Sequence, residues 1–431
     1  MLTAVFIAHL QLEGFRWQMI PLYAVTLGLA VGDVLFIERE LKWPNRVSRG
    51  LFGMSGLALT LALPFLLPVP VLPTPSGGLP VGTISLEIVD TEREMAYGPA
   101  PESSRRFMVQ VWYPAAPSTG PKPESWSADW DLVAPAMSRL LGFPSWFLSH
   151  TRYTSSHSVL SAPVAPGTFP VVIYSHGWTG FRSIAINQME ALASNGYIVI
   201  APDHTYGAVV SRFPDGEVIG YSPDALPSAE TVGSDAHLRA AQQLIATYAD
   251  DLVSVLDELD DGVDGQFANF EASLDLSRIG VFGHSAGGGA AVQVCLLDDR
   301  CHAVLGFDPW VEPLPARVLR ERATKPALFL RSDQWRGTQN DALLRGLAGR
   351  GESVTYWLGV EGAGHNDFVV TPFLSPIAGQ LGLKGPIAAG RIVSIIDNYL
   401  VGFFDVFLLG TGSAALDTVN FPAVTLETIR P

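Results

Sequence analysis

A serine at the centre of a Gly-His-Ser-Ala-Gly pentapeptide has the neighbours that a covalent nucleophile requires. Ser285 follows a strand-like stretch, residues 278–282, and precedes a run of small residues, 288–294, that favours a helix. A sharp turn from strand to helix needs small flanking residues, and Gly283 and Gly287 meet that need. The pattern predicts that the Ser285 hydroxyl projects from a strand end, near the positive end of a helix dipole.

A serine hydroxyl is a weak nucleophile at neutral pH and needs a general base. Two histidines follow Ser285 in the sequence, His302 and His365. His302 enters a predicted strand at the edge of the sheet opposite to the serine. His365 lies in a glycine-rich loop after the last strand of the alternating pattern, from which an imidazole reaches over the sheet. His365 is therefore predicted as the base.

The base needs a carboxylate that fixes its tautomer and stabilises the imidazolium. Asp308 ends the strand that follows the serine, and Asp333 ends the next strand. Because the carboxyl ends of parallel strands meet at one edge of a sheet, either carboxylate can reach His365. Position alone therefore leaves both aspartates as candidates for the acid.

A tetrahedral intermediate needs hydrogen-bond donors for its oxyanion, commonly two. The sequence predicts the backbone amides of Ala286, directly after the serine, and of Trp178, in a loop after an earlier strand. His176 and His284 adjoin these residues and are interpreted as structural, and His204 is expected to line the pocket. This chemistry requires no metal and no organic cofactor.

The elements that position these residues alternate between strand and helix, which predicts a doubly wound, mostly parallel α/β sheet. Predicted strands cover residues 81–89, 107–113, 169–174, 197–201, 278–282, 303–307, 327–331 and 354–358. Predicted helices cover residues 132–141, 183–194, 236–259, 288–294, 316–321, 340–349 and 387–409. The irregular stretch 114–160 favours either a wall over an acyl-binding pocket or core packing. Its bulky residues are Trp126, Trp130, Phe143, Trp146 and Phe147.

Two apolar runs near the start of the chain, residues 17–37 and 51–72, approach the length of a bilayer-spanning helix. The positive-inside rule places the loop between them in the cytoplasm, because it carries Arg39, Lys42, Arg46 and Arg49. The prediction is a two-helix transmembrane anchor, residues 1–72, a linker, 73–80, and a catalytic domain, 81–431. That domain would lie on the outer, periplasmic side of the inner membrane. The alternative is a buried helical hairpin.

The net charge of −15 disfavours nucleic acid as a partner. The expected partners are a small-molecule or lipid ester and the bilayer, reached through the N-terminal helices. The two cysteines, Cys295 and Cys301, form a disulfide if the domain lies outside the membrane, or stay buried thiols. They make no zinc site without histidines at ligand spacing.

These motifs together resemble the platelet-activating factor acetylhydrolase family of the plasma and intracellular type II kind, with its bacterial relatives. The resemblance rests on residues 108–114, 175–182, 283–287, 307–310 and 365–368. It implies an α/β-hydrolase fold and a serine ester hydrolase acting on short-acyl or phospholipid-type esters. It also implies that the acid is Asp308, which lies in an Asp-x-Trp motif after the strand that follows the Ser285 turn. The residue after His-Gly, Trp178, would supply an oxyanion amide.

Other hypotheses stay open on the sequence. The run Gly287-Gly288-Gly289 is also similar to bacterial cutinases and polyester hydrolases, in which the acid follows the later strand and would be Asp333. A peptidase or a carbon–carbon hydrolase can use the same three side chains. A non-catalytic membrane protein with a relic hydrolase domain is the alternative that is not an enzyme.

Overall fold

The computed structural model describes nearly all of the chain from residue 60 onwards and part of the N-terminal stretch. The described residues are 2–28, 58, 60–100, 102–117, 124–227, 233–262, 265–411, 416 and 421–431. The strands are β1 (Val81–Glu94), β2 (Ser104–Pro114), β3 (Ser158–Leu160), β4 (Phe169–Ser175), β5 (Ile198–Pro202), β6 (Val210–Arg212), β7 (Val218–Gly220), β8 (Leu274–His284), β9 (Ala303–Phe307), β10 (Ala327–Arg331), β11 (Thr355–Val360) and β12 (Val424–Ile429). The helices are α1 (Leu2–Leu12), α2 (Trp130–Leu140), α3 (Ile186–Ser194), α4 (Asp235–Asp260), α5 (Ala286–Leu297), α6 (Ala316–Leu319), α7 (Gln339–Ala348), α8 (Thr371–Leu374) and α9 (Ala389–Leu408).

One sheet contains ten of these strands, in the order β12-β11-β10-β9-β8-β4-β5-β2-β1-β3. From β11 to β5 in this order, neighbouring strands run parallel. Antiparallel pairing joins β12 to β11, β2 to β5 and β1 to β2. The doubly wound, mostly parallel sheet predicted from the sequence is confirmed. The strands missing from the prediction are β12 and the three-residue strands β3, β6 and β7, which are too short to show a periodic pattern.

Apolar side chains alternate between the two faces of the central strands. In β4, Val172 and Tyr174 point into the core that α3 and α9 cover, whereas Val171 and Ile173 point into the core that α4 and α5 cover. Strands that are buried on both faces read as continuous apolar runs, which explains the composition of the predicted strands. The central strands are therefore shielded from solvent on both faces, whereas the outer strands β1 and β12 retain exposed residues.

The aromatic residues between β2 and β4 divide between core and surface. Trp126 and Trp130 are buried and stack on each other with ring centroids 4.4 Å apart. The indole of Trp126 donates a hydrogen bond to Ser183 O at 2.7 Å. Trp146, in contrast, is about half exposed. For the two buried tryptophans the core-packing alternative therefore describes the structure, and the cavity wall comes from other residues.

The predicted membrane anchor falls largely on residues outside those that the structure describes, since residues 29–57 are not among them. Within the described residues, no helix has the length and apolar character that crossing a membrane requires. The described N-terminal residues contact the rest of the chain. Trp17 Nε1 donates to Phe147 O at 2.9 Å, and Leu66 O accepts from Ser375 Oγ at 2.6 Å.

A disulfide joins Cys295, near the end of α5, to Cys301, two residues before β9. Of the two alternatives that the sequence left open, the structure thus contains the disulfide. The bond ties the far end of the helix that begins after Ser285 to the strand beside it.

Candidate active site

Ser285 occupies the turn between β8 and α5, in a backbone conformation that non-glycine residues rarely adopt. Its φ is 57° and its ψ is −122°. Its N–H donates to Phe307 O at 3.0 Å, and its carbonyl accepts from the amides of Gly289 at 3.0 Å and Trp310 at 2.8 Å. Such strained conformations persist where the surrounding structure fixes them, and they cluster at functional sites.

The two glycines of the motif are needed because the backbone passes too close for a side chain. A Cβ added to Gly283 would lie 2.4 Å from Gly287 O. A Cβ added to Gly287 would lie 2.2 Å from Ser175 O. Only glycine therefore lets α5 approach β8 and β4 at this turn, as the sequence pattern predicted.

His365 begins a short 3₁₀ helix after β11, and three neighbours hold it. Its ring stacks on Trp335, with centroids 4.8 Å apart, and lies 4.4 Å from the ring of His284. The His365 carbonyl is 2.9 Å from His284 Nε2, and its amide donates to the side-chain oxygen of Gln334 at 2.8 Å. Burial, reinforced by the neighbouring His365, lowers the pKa of His284 well below its usual value, so His284 stays neutral.

Asp308 follows β9, and its carboxylate faces His365. Its Oδ2 lies 2.9 Å from His365 Nδ1. Ser332 holds the same carboxylate, because its amide donates to Oδ1 at 2.8 Å and its hydroxyl donates to Oδ2 at 2.6 Å. Asp308 is fully buried, and no Lys or Arg of the described residues forms an ion pair with it. Its negative charge is therefore available to an imidazolium at His365.

The rival acid and the rival base lie elsewhere. Asp333 accepts a hydrogen bond from the Gly362 amide at 2.6 Å and pairs with Arg336. His302 lies just before β9, at its amino end, where its Nδ1 accepts from the Ile279 amide at 3.3 Å. The structure thus brings Asp308 rather than Asp333 to His365, and it leaves His302 at the opposite edge of the sheet.

Ser285 and His365 line the same cavity, whose volume is about 470 Å³. Among the described residues, no hydrogen bond joins Ser285 Oγ to the His365 ring; such contacts are often long in sites without substrate. Three indoles form part of the cavity wall, those of Trp178, Trp310 and Trp335. Much of the rest is aliphatic: Met137, Leu140, Leu141, Ile184, Leu226, Val369, Leu374 and Leu383.

The amides of Ala286 and Trp178 have no hydrogen-bond acceptor in the part of the chain that the structure describes. Ala286 is the first residue of α5, where an amide has no partner within the helix. Gly177 passes so close to Ser285 that a Cβ added to it would lie 3.1 Å from Ser285 Cβ. The peptide that carries the Trp178 amide therefore adjoins the serine.

His204 does not line the cavity, so that prediction is wrong. The residue is wholly buried, its Nε2 is 2.8 Å from Ser175 Oγ, and its Nδ1 is 3.0 Å from Asp251 Oδ2. Position at a strand end gave no information about the direction of the side chain, and its partner Asp251 comes from the distant helix α4. His176 is also buried, in agreement with its structural interpretation. His284 both supports His365 and lines the cavity.

Sequence reasoning missed residues that complete the site. Trp335 stacks on His365, and Ser332 holds Asp308. Both follow β10, next to the rejected candidate Asp333, so the strand-end position that drew attention to Asp333 was also the available signal for them. The cavity wall that the stretch 114–160 offered as one alternative is formed in part by Met137, Leu140 and Leu141, at the C-terminal end of α2, rather than by the bulky aromatic residues of that stretch.

Comparison with known proteins identifies the family of the chain. The family described as platelet-activating factor acetylhydrolase, isoform II, matches residues 75–215 and 239–408. The chain belongs to this family. Within it, the chain is similar to the platelet-activating factor acetylhydrolase of Cavia porcellus, at 27% identity over 58% of this chain and 60% of that protein.

Other known proteins are similar to the chain over shorter or longer stretches. A protein named putative phospholipase A2 from Schizosaccharomyces pombe is 30% identical over 33% of this chain and 35% of its own length. The chain thus spans less than two thirds of these relatives. A solved ferulic acid esterase from Streptomyces cinnamoneus has a TM-score of 0.68 and 28% identity, covering 83% of this chain and 99% of that one. The expected family and the expected α/β-hydrolase fold are confirmed.

Proposed function

We propose that this protein hydrolyses carboxylic esters through an acyl-enzyme formed on Ser285. One observation carries the proposal: Ser285 in its strained turn and the His365–Asp308 pair meet at a single cavity. A nucleophile, a base and a carboxylate that orients the base are the parts that acyl transfer requires. Membership of the family supports the same reaction.

In the proposed mechanism, Ser285 Oγ attacks the ester carbonyl carbon while His365 Nε2 takes the hydroxyl proton. The hydrogen bond to Asp308 occupies Nδ1 and so leaves Nε2 for the serine. The amides of Ala286 and Trp178 donate to the oxyanion of the tetrahedral intermediate. His365 then protonates the departing alkoxide. Water, deprotonated by His365, attacks the acyl-enzyme and releases the acid.

The proposed substrate is a short-acyl or phospholipid-type ester. A cavity of about 470 Å³ with a largely apolar wall has room for a short acyl group. The names of the curated relatives support this choice.

A second candidate is an aromatic ester. The indoles of Trp178, Trp310 and Trp335 offer flat surfaces on which an aromatic ring can stack. The structural neighbour is a ferulic acid esterase, a name that supports the same class. The two candidates differ in the acyl group that the cavity would bind, which is short and aliphatic in one and aromatic in the other.

We further propose that the N-terminal stretch tethers the protein to the inner membrane, with residues 81–431 on the outer side. The apolar runs and the basic loop between them support the tether. The Cys295–Cys301 disulfide supports the outer side, because disulfides persist in oxidising compartments. Protease treatment of spheroplasts tests the topology: residues 81–431 should be digested, and their protection would contradict it.

A substrate panel tests the activity. The purified full chain is assayed on p-nitrophenyl esters of increasing acyl length, on a platelet-activating-factor-type phospholipid, on methyl ferulate and on aminoacyl amides, with Ser285→Ala as the matched control. We expect ester turnover that Ser285→Ala lacks, highest with short acyl groups. Highest turnover with methyl ferulate would select the aromatic candidate. Amide turnover with negligible ester turnover, or no labelling of Ser285 by a fluorophosphonate, would reject the proposal.

A further inference from the structure

The peptide bond between Gly177 and Trp178 lies beside Ser285, and its hydrogen bonds to the described residues are all formed by its carbonyl. The carbonyl of Gly177 accepts two hydrogen bonds, from His176 Nδ1 at 2.7 Å and from the Gly180 amide at 2.9 Å. The other end of the same peptide, the Trp178 N–H, has no acceptor among the described residues. In a trans peptide the N–H points away from the C=O, so fixing the carbonyl fixes the direction of the amide.

This peptide adjoins the proposed reaction centre. A Cβ added to Gly177 would lie 3.1 Å from Ser285 Cβ, and Trp178 lines the cavity with Ser285. A rotation of the peptide would therefore replace a donor with a carbonyl oxygen, which repels an oxyanion. The hydrogen bond from His176 opposes that rotation.

His176 is itself fixed in one protonation state and one orientation. Its Nε2 accepts a hydrogen bond from the His204 amide at 3.2 Å, which places the proton on Nδ1, facing Gly177 O. Burial lowers the pKa of His176 to about 3, with the neighbouring His204 adding to the effect, so the ring stays neutral. Its ring lies 5.6 Å from that of Tyr248 and 4.8 Å from that of His204.

A buried polar network continues behind His204. The His204 ring bridges Ser175 Oγ and Asp251 Oδ2, and Arg105 contacts both carboxylate oxygens of Asp251, at 2.9 and 2.6 Å. All of these side chains are wholly buried. None of them has a part in the proposed acyl transfer. Buried polar networks that are fully hydrogen-bonded rigidify the groups they contain.

We propose that His176 is a positioning residue that directs the Trp178 amide at the oxyanion, and that the buried network around His204 holds His176 in place. The inference rests on the proposed ester hydrolysis. It assigns no new reacting group, because His176 acts on the substrate only through the peptide.

Two amide substitutions at His176 test the contributions of the two imidazole nitrogens one at a time. His176→Asn puts an N–H donor where Nδ1 lies, and His176→Gln puts its amide where Nε2 lies and leaves Gly177 O without that donor. We expect His176→Asn to retain kcat within about 3-fold, and His176→Gln and His176→Leu to lose about 10- to 100-fold with little change in KM. His150→Leu, which replaces another buried histidine away from the cavity, should leave kcat unchanged.

A second readout separates positioning from general damage. An alkyl boronic acid or trifluoromethyl ketone forms an oxyanion on the serine, so its inhibition constant should rise in parallel with the loss of kcat/KM. Equal kcat in folded His176→Asn and His176→Gln, or a loss confined to KM, would overturn this inference alone. If His176→Leu fails to fold, the Asn and Gln pair still decides. A wild-type protein without ester turnover or fluorophosphonate labelling would overturn the proposed function as well.

Discussion

Among the described residues, two sets of serine, histidine and aspartate stand out, and one of these two opens to a cavity. In the buried set, Ser175, His204 and Asp251, both hydrogen bonds are formed, at 2.8 and 3.0 Å. In the cavity set the His365–Asp308 contact is formed at 2.9 Å, but Ser285 and His365 share no hydrogen bond. The set with the more complete hydrogen bonding is thus the one that no substrate can reach.

The two carboxylates also differ in what balances their charge. Asp251 pairs with two guanidinium groups, those of Arg105 and Arg93. Burial by itself would raise the pKa of Asp251, but Arg105 and the hydrogen bond to His204 hold it well below the usual range. Asp308 accepts neutral hydrogen bonds from Ser332. An imidazolium at His204 would meet a carboxylate that is already neutralised, whereas one at His365 would meet an uncompensated charge.

The serines differ in backbone conformation. Ser175 ends a regular strand, whereas Ser285 has a φ of 57° in a turn that two glycines make possible. The comparison teaches that the residue types do not define a catalytic site. Access to a cavity, free donors nearby and a carboxylate without a cation distinguish the set that we propose to be catalytic from the buried one.

The largest expected effect comes from exchanging the two serines for alanine. Ser285→Ala should lower kcat for ester hydrolysis by at least about 10⁴-fold, because the nucleophile is lost. Ser175→Ala should keep kcat within about 10-fold and lower stability by about 1 kcal/mol, the value of one buried hydrogen bond. Mass spectrometry after fluorophosphonate treatment should find the label on Ser285 in wild type and in Ser175→Ala. A label on Ser175 would contradict the prediction that the buried serine does not react.

The second-largest expected effect distinguishes the two candidates for the acid, Asp308 and Asp333. Asp308→Asn should lower kcat by about 10⁴-fold, because the amide favours the wrong tautomer of His365. Asp333→Asn serves as the matched control and should stay within about 3-fold of wild type, since Asp333 contacts Gly362 and Arg336 instead. Steady-state kinetics on a short-chain p-nitrophenyl ester measures both. A larger loss of kcat in Asp333→Asn than in Asp308→Asn would indicate that Asp333 is the acid, as the similarity to bacterial cutinases implies.

The third effect concerns stability rather than turnover. Asp251→Asn leaves the buried Arg105 guanidinium without its carboxylate and should lower the free energy of unfolding by about 3–5 kcal/mol. Asp257→Asn, on the same helix but exposed and paired with Arg300, should cost about 1 kcal/mol or less. Urea unfolding at pH 7 measures both. An Asp251→Asn protein of normal stability that had lost its turnover would contradict the structural role of the buried set.

The smallest effect is a pH dependence of stability. His176 has a pKa of about 3 in the folded protein, because burial disfavours its charged form, and about 6.5 when unfolded. Below pH 6.5 the unfolded chain therefore binds a proton that the folded chain refuses. The stabilisation of the folded state by neutral His176 is therefore fully present above pH 6.5. It is lost as the pH falls towards 3, with a slope of up to about 1.4 kcal/mol per pH unit in the free energy of unfolding.

Urea unfolding of wild type and His176→Asn between pH 7 and pH 5 checks this sign. The variant should show the shallower decline, since asparagine does not titrate. An identical decline in both proteins would contradict the lowered pKa of His176. Other titrating groups, such as the buried His150, whose pKa burial lowers to about 4, contribute equally to both proteins.

Prediction from the sequence succeeded where a local pattern carries the physical cause. The strand-turn-helix pattern around Ser285 and the alternation of strands and helices depend on neighbouring residues, so they are readable without coordinates. A local pattern could not decide between Asp308 and Asp333, because the two residues follow adjacent strands. Only the resemblance to a family favoured Asp308, and the structure brings that residue to His365.

Predictions failed where two distant segments had to meet. His204 turned away from the cavity because Asp251 and Ser175, from other elements, supply better hydrogen bonds than solvent at the cavity would. The stacking of Trp335 on His365 likewise depends on a contact between separate segments. No periodicity along the chain encodes such contacts.

The sequence by itself determined the nucleophile turn, the order of the elements and the residue types that could serve as base, acid and oxyanion donors. These follow from steric and hydrogen-bonding demands within a few residues. The tertiary structure decided that Ser285, His365 and Asp308 meet at a cavity, and that Ser175, His204 and Asp251 are buried together. The physical reason is that burial and charge compensation are properties of neighbours in space, and those neighbours lie many residues apart in the chain.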